Sequence, residues 1–202
     1  MRKSISLILA IVMIAMVFAT IPFTAFAADE TTTTPPAVAD NVIAQITGSD
    51  GTVKHEMTEG TFESFSAKAE DGDTVTLYKD VTTTGNSWFY GTITFDGNGK
   101  TMTYTGTDYA ICGANTAKDT GYMVEAPAEM DTLTVKNLNL VGKTTAENGS
   151  AGGFKFYNSI LHLADGNVMT TENVVVLTPR SHGKVIVSGG IYNAGIGVGS
   201  DM

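Results

Sequence analysis

Between residues 70 and 142 apolar and hydroxyl side chains alternate in short bursts. Thr74-Val75-Thr76-Leu77, Thr92-Ile93-Thr94-Phe95, Thr101-Met102-Thr103-Tyr104-Thr105 and Thr132-Leu133-Thr134-Val135 each set apolar groups on one side and threonines on the other. That period of two marks a half-buried strand. Asp71-Gly72-Asp73, Gly85-Asn86 and Asp96-Gly97-Asn98-Gly99 separate the bursts; they are turn chemistry, because Gly and Asn accept positive φ at low cost. Asp96 to Gly99 is thus predicted to be a turn, with Met102 and Tyr104 inward and Thr101, Thr103 and Thr105 wet.

In LTVKNLNLVG the inward positions are Leu133 and Val135, then Leu138 and Leu140, so the parity switches at Lys136-Asn137. A straight strand would throw the last two leucines into water, and the chain must therefore bend there. Short strands turning corners around one interior predict an all-β fold, a right-handed parallel β-helix whose coils stack one on the next. GGFKFYNSILHL, NVMTTENVVVL and KVIVSGGIYN read as pieces of later coils, unevenly spaced because their loops vary in length. One segment, residues 61–70, reads as helix. Phe62, Phe65 and Ala69 share a face, Thr61 is suited to N-capping, and Glu63 lies in the first turn where the dipole favours an anion. Placed before the first coil, this short helix is predicted to cap the open N-terminal end of the solenoid.

The N-terminus changes the picture of where this fold works. Arg2 and Lys3 precede an apolar run to Phe23 that closes on Ala25-Phe26-Ala27, the arrangement of a cleaved Sec-type signal peptide over residues 1–27. Residues 28–40, with four consecutive threonines and Pro35-Pro36, lack the apolar surface to fold and read as a disordered Thr/Pro-rich tether. The β-helix domain is assigned to residues 41–202. Loss of Arg2 and Lys3 takes the net charge from −9 to −11, with 10 basic against 21 acidic residues. That balance disfavours nucleic acid, which needs clustered Lys and Arg. Cys112 is the single cysteine, so no internal disulfide supports the domain. The expected setting is extracellular, secreted or at a cell surface, with no membrane contact after signal cleavage.

TFESFSAKAEDGDTVTLYKDV followed by ITFDGNGKTMTYTG resembles the N-terminal cap and first coils of right-handed parallel β-helix, pectin-lyase-like repeat proteins exported by Gram-positive bacteria. The likeness is good over residues 61–106, fair over LTVKNLNLVG and KVIVSGGIYN, and weak between them. It implies a fold and an extracellular setting without implying a reaction, because one fold hosts many functions.

Candidate chemistry is sparse. Pro179-Arg180-Ser181-His182-Gly183-Lys184 faintly echoes a segment of polygalacturonases, and Asp165 and Glu172 are the nearest upstream carboxylates. The Asn-Thr-Asp and Asp-Asp elements of that family are missing. Asp71 and Asp73, two apart, are the candidate pair for Ca²⁺, but Val75 and Lys100 stand where DGDTV and DGNGK would need their next oxygen ligands. No cofactor is otherwise implied. His55 and His162 belong to no pattern. Ice binding would need Thr-x-Thr once per coil, whereas the starts at Thr74, Thr92, Thr101 and Thr132 are separated by 18, 9 and 31 residues. Threonine is simply a good exposed strand residue.

The last stretch, GGIYNAGIGVGSDM, carries no second amphipathic cap, so the solenoid is expected to be incomplete at its C-terminus, with an open end available for self-association. The expectation for function is a non-catalytic β-helix stalk, adhesin or glycan-binding module facing an extracellular polysaccharide or cell-surface glycan. A carbohydrate-active enzyme (polysaccharide lyase or glycoside hydrolase) or its remnant is the alternative, and ice binding comes third.

Overall fold

The computed structural model of the protein describes residues 37–142, apart from 119, 122–124 and 126, and residues 153–198, apart from 172–174, 181 and 194–195. The expected signal segment, the tether before residue 37 and Glu172 lie outside the described residues, as do the side chains of residues 171–180 and 196–198. Contacts divide the chain into Met1–Ala37 and Val38–Met202, and every element below belongs to the second unit.

Two strands open it, β1 (Ala44–Thr47) and β2 (Val53–Met57), followed by the helix α1 (Phe62–Ser66). The alternating bursts then fall into circuits of three strands. The first is β3 (Thr74–Leu77), β4 (Val81–Thr83) and β5 (Ser87–Tyr90); the second is β6 (Ile93–Asp96), β7 (Thr101–Tyr104) and β8 (Ile111–Ala114). The third is β9 (Thr132–Lys136), β10 (Asn139–Gly142) and β11 (Phe154–Tyr157). The fourth is β12 (Ile160–Leu163), β13 (Val168–Thr171) and β14 (Val175–Arg180), and the fifth is β15 (Lys184–Val187), β16 (Ile191–Tyr192) and β17 (Ile196–Val198). Each strand pairs in parallel with its counterpart in the next circuit, giving three sheets that the chain visits in turn. The fold is all-β, with one short helix among the described residues.

Period two decides which side chains meet. Along the first sheet Val75, Phe95, Val135 and Leu163 stand in one inward file, and along the second Val81, Met102, Leu140 and Met169 do the same. On the third sheet Phe89, Gly113 and Phe156 share an inward file. These apolar residues are buried and belong to one core cluster between the sheets, Gly113 lying against Leu133. Burial of each large apolar side chain stabilises by roughly 1.5–3 kcal/mol.

Corners between the first and second sheets explain the parity switch. Asn137 adopts φ +51 and Asn98 φ +50, and after each bend the strand again faces the interior, leaving Leu138 and Leu140 fully buried. Gly97 is required by closeness: a Cβ there would lie 2.5 Å from Leu138 Cα. At the next corner Asn167, 1% exposed, turns its amide inward. Its Nδ2 donates to Val135 O (2.8 Å) and Ala164 O (2.9 Å), and its Oδ1 accepts from Leu138 N (3.1 Å). Asp96 links corners as well, accepting from Asn98 N (2.8 Å) and Asn137 Nδ2 (3.0 Å) and pairing with Lys136 Nζ at 3.2 Å.

The N-terminal end is closed by more than the predicted helix. β1 runs antiparallel to β3, and β2 runs antiparallel to β1 as the sheet edge, where Lys54, His55 and Glu56 are exposed. Charges along an edge discourage pairing with another chain. In α1, Thr61 Oγ1 accepts from Ser64 N, as expected of an N-cap, and Phe62, Phe65 and Ala69 are all buried. The Phe62 ring meets Phe95, centroids 5.4 Å apart. The helix is shorter than the 61–70 span read from the pattern: Lys68 N and Ala69 N already donate only three residues back, to Phe65 O (3.0 Å) and Ser66 O (3.1 Å), and Glu70 N turns to Asp73 Oδ2 (2.9 Å). Glu63 also does more than favour the dipole: its Oε1 accepts from Thr84 N and Gly85 N, at 3.0 and 2.9 Å, clasping the first circuit.

Threonines line up despite their uneven sequence gaps. Thr47, Thr74, Thr94 and Thr134 are successive partners across the first sheet, and the file then passes to His162 and Ile186. Thr101 and Thr103 belong to the second sheet, so spacing along the chain was not the relevant interval.

Candidate functional site

Outward positions of the third sheet form the one concentrated aromatic surface among the described residues. Trp88, Cys112 and Lys155 make one file, and Tyr90, Ala114 and Tyr157 the next. Because the middle strand contributes only small groups, the large rings of its two neighbours lean over it. Trp88 stacks on Tyr90 with centroids 5.5 Å apart and planes 5° from parallel, and on Tyr157 at 6.1 Å and 19°. Offset stacking of this kind suits the ring quadrupoles. The cover accounts for a result that period two alone would not give: Cys112 and Ala114 face outward yet are buried. Burial pushes the Cys112 thiol up to about 12, an effect the hydrogen bond from Asn86 Nδ2 (3.3 Å) opposes without cancelling. Such a thiol is no nucleophile at neutral pH. The three rings themselves remain half-exposed.

Lysines flank the stack. Lys118 Nζ lies 4.9 Å from the Tyr90 ring centroid, and Lys155 Nζ lies 4.8 Å from Tyr109 and 5.9 Å from Tyr157, within range of cation–π attraction. Beyond Tyr90 a cleft of about 400 Å³ opens between residues 67–71 and the group Tyr90, Thr116 and Lys118. Desolvation raises the Tyr90 phenol above its usual value, so its hydroxyl stays protonated through neutral pH and is available as donor and acceptor.

The predicted chemical residues do not gather here as a set. Arg180 occupies the ladder position opposite Tyr157, the next place in the Tyr90 file. His182 precedes β15, and Asp165 follows β12; because Ile160 pairs with Lys184 and Leu163 with Val187, these two residues lie beyond opposite ends of paired strands in the first sheet. Asp71 and Asp73 are committed to different partners. Asp71 Oδ1 accepts from Thr92 N at 2.7 Å, whereas the buried Asp73 pairs with Lys54 Nζ at 2.8 Å. No cluster of three potential metal ligands occurs among the described residues. His162 Nε2 shares a hydrogen bond with Ser188 Oγ at 2.8 Å, and His55 sits on exposed β2.

The aromatic surface was missed in the sequence because SWFY and FKFY read as apolar runs, and only the pairing of β5, β8 and β11 brings their alternate rings together. The available signal was Trp88, the single tryptophan, two residues from Tyr90 in a strand-like piece.

The chain matches no protein-family model, and no curated protein or solved structure is significantly similar to it. Among the described residues no helix is long and apolar enough to cross a membrane.

Proposed function

We propose that the chain is a right-handed parallel β-helix domain of the pectin-lyase-like exported type, serving outside the cell as a non-catalytic glycan-binding module. The solenoid reading is supported by five circuits whose strands pair in parallel across three sheets, and the export reading by the n-region, apolar run and Ala25-Phe26-Ala27. The observation that carries the function is the Tyr90–Trp88–Tyr157 stack on an outer sheet face beside an open cleft. Aromatic faces present rigid apolar area with little entropy to lose, which suits the C–H faces of pyranose rings, and a few polar groups around them fix orientation. Non-catalytic action accords with the separation of Asp165 from His182.

Trp88 is the only tryptophan, so its emission reports this surface directly. Titration of the chain from residue 28 with polysaccharides and their oligomers is expected to shift and enhance or quench that emission saturably, and Trp88→Ala is expected to abolish retention in affinity gels. Absence of a saturable shift and of calorimetric heat across neutral and acidic glycans refutes the proposal. Hydrolysis or elimination products from any of them would replace it with the enzyme reading.

A further inference from the structure

We propose that the aromatic face selects glycans carrying carboxylate or sulfate groups, with Lys155 and Lys118 as the residues that set this preference. The inference rests on the glycan-binding reading and adds a charge class to it. The face runs Lys118, Tyr90, Trp88, Tyr157, Lys155, so a three-ring stack is bracketed by a cation at each end. In a chain of net charge −9, that concentration of positive charge on rings stands apart. The ion pairs of the described residues use Lys54 and Lys136, and neither bracketing lysine has a carboxylate within 4.0 Å among them.

The nearby acids are engaged elsewhere. Glu70 and Asp71 border the cleft, but Glu70 pairs with Lys54 at 3.1 Å and Asp71 accepts the Thr92 N–H at 2.7 Å. Asp108 receives the Asn86 amide at 3.2 Å. Lys118 itself is held at φ +58, a conformation rare for a residue with a Cβ and one that persists where the surroundings enforce it. The loop therefore accepts an unfavourable backbone while placing an ammonium over Tyr90.

Chemically the arrangement separates two tasks. The rings hold the apolar face of a sugar regardless of its charge, and the ammonium groups reward an anionic substituent in reach of either end. A charge-assisted hydrogen bond is about twice as strong as a neutral one, and such bonds at this strength translate into roughly tenfold or greater preference. Because both lysines are on the surface, the preference must weaken as salt screens it, with a Debye length of about 8 Å at physiological ionic strength.

The test uses three oligosaccharide probes of matched length: a neutral β-glucan, hyaluronan for carboxylate, and heparin for sulfate. Each is titrated by Trp88 emission and by calorimetry into the chain from residue 28. An acidic probe, carboxylated or sulfated, is expected to bind at least about tenfold tighter than the neutral one at low salt, with the advantage falling as salt rises. Lys118→Gln combined with Lys155→Gln should bring the acidic probes down to the neutral affinity and leave the neutral affinity in place, whereas Lys155→Arg should keep the preference. Equal binding of neutral and acidic probes, or an undiminished preference in the double variant, overturns this inference while the glycan reading stands. Failure of all three probes overturns both. Matched circular dichroism of wild type and variants establishes that the fold is shared.

Discussion

Replacing Asn167 by Ala tests how the corners hold the circuits together. The amide is 1% exposed and makes three hydrogen bonds, two as donor to Val135 O and Ala164 O and one as acceptor from Leu138 N. Val135 O also accepts from Ala164 N at 2.9 Å, so it keeps a partner when the side chain goes. Leu138 N–H has its contact with Asn167 Oδ1 at 3.1 Å, beside a side chain that is fully buried. Stranding that donor costs about 1–3 kcal/mol, and each of the two lost amide bonds a further 0.5–1.5 kcal/mol or so. The expected loss is about 2–6 kcal/mol, a large share of the roughly 5–15 kcal/mol by which domains are stable. Asn139→Ala is the comparison, since its Nδ2 makes one exposed bond to Gly99 O at 3.1 Å and should cost about 0.5–1.5 kcal/mol. Urea unfolding followed by Trp88 emission gives both values. If Asn167→Ala costs no more than Asn139→Ala, the inward amide is not what fastens the corner. Asn167→Asp supplies a second arm. It keeps the acceptor for Leu138 N–H but turns a carboxylate toward two carbonyls, so burial and repulsion raise its folded pKa. Its stability should then fall as pH rises from the ordinary carboxylate value through the raised folded one, and recover on acidification.

Three further outcomes follow from the same geometry. Gly97→Ala forces a Cβ to 2.5 Å from Leu138 Cα, and as overpacking against backbone it should destabilise by about 1–3 kcal/mol in the same urea assay. Burial raises the Asp96 carboxyl, but the Asn137 amide, the Asn98 N–H and Lys136 outweigh it and hold the group below its usual value; its contribution is therefore complete above the ordinary aspartate value of 3.8 and lost as pH falls through the lower folded one. Asp96→Asn should flatten the acid limb of the unfolding midpoint between about pH 5 and 2, and an unchanged limb contradicts the assignment. Trp88→Ala should uncover Cys112, so that a thiol reagent unreactive with the folded parent labels the folded variant; equal labelling rates would show that the rings are not the cover.

Much of the first three circuits was legible because their strands alternate cleanly. Thr74-Val75-Thr76-Leu77 and Thr101-Met102-Thr103-Tyr104 are β3 and β7 with the expected residues inside, and the parity switch falls at Asn137, where φ is +51. β8 was hidden because Ile111-Cys112-Gly113-Ala114 has no polar face at all, its outward side being roofed by rings from other circuits. The hairpin β1–β2 was hidden for the opposite reason, since Val53–Met57 is almost wholly exposed and carries no buried face to read. Asn167 reads as turn chemistry, while its role depends on a carbonyl of the preceding circuit, Val135 O, 32 residues away. The same holds for the aromatic surface: Trp88 and Tyr157 are strangers along the chain and neighbours only through the ladder.

The covered thiol has one more implication. A lone cysteine is a hazard wherever the surroundings are oxidising, because it can join two molecules through an unwanted bridge. Here the sulfur is shut beneath Trp88 and Tyr157 and resists ionisation, so oxidant and partner thiol alike must wait for the rings to part. Cys112 thereby becomes a clock for the opening of that sheet: its labelling rate counts how often the roof lifts, and anything that rests on the rings will slow it.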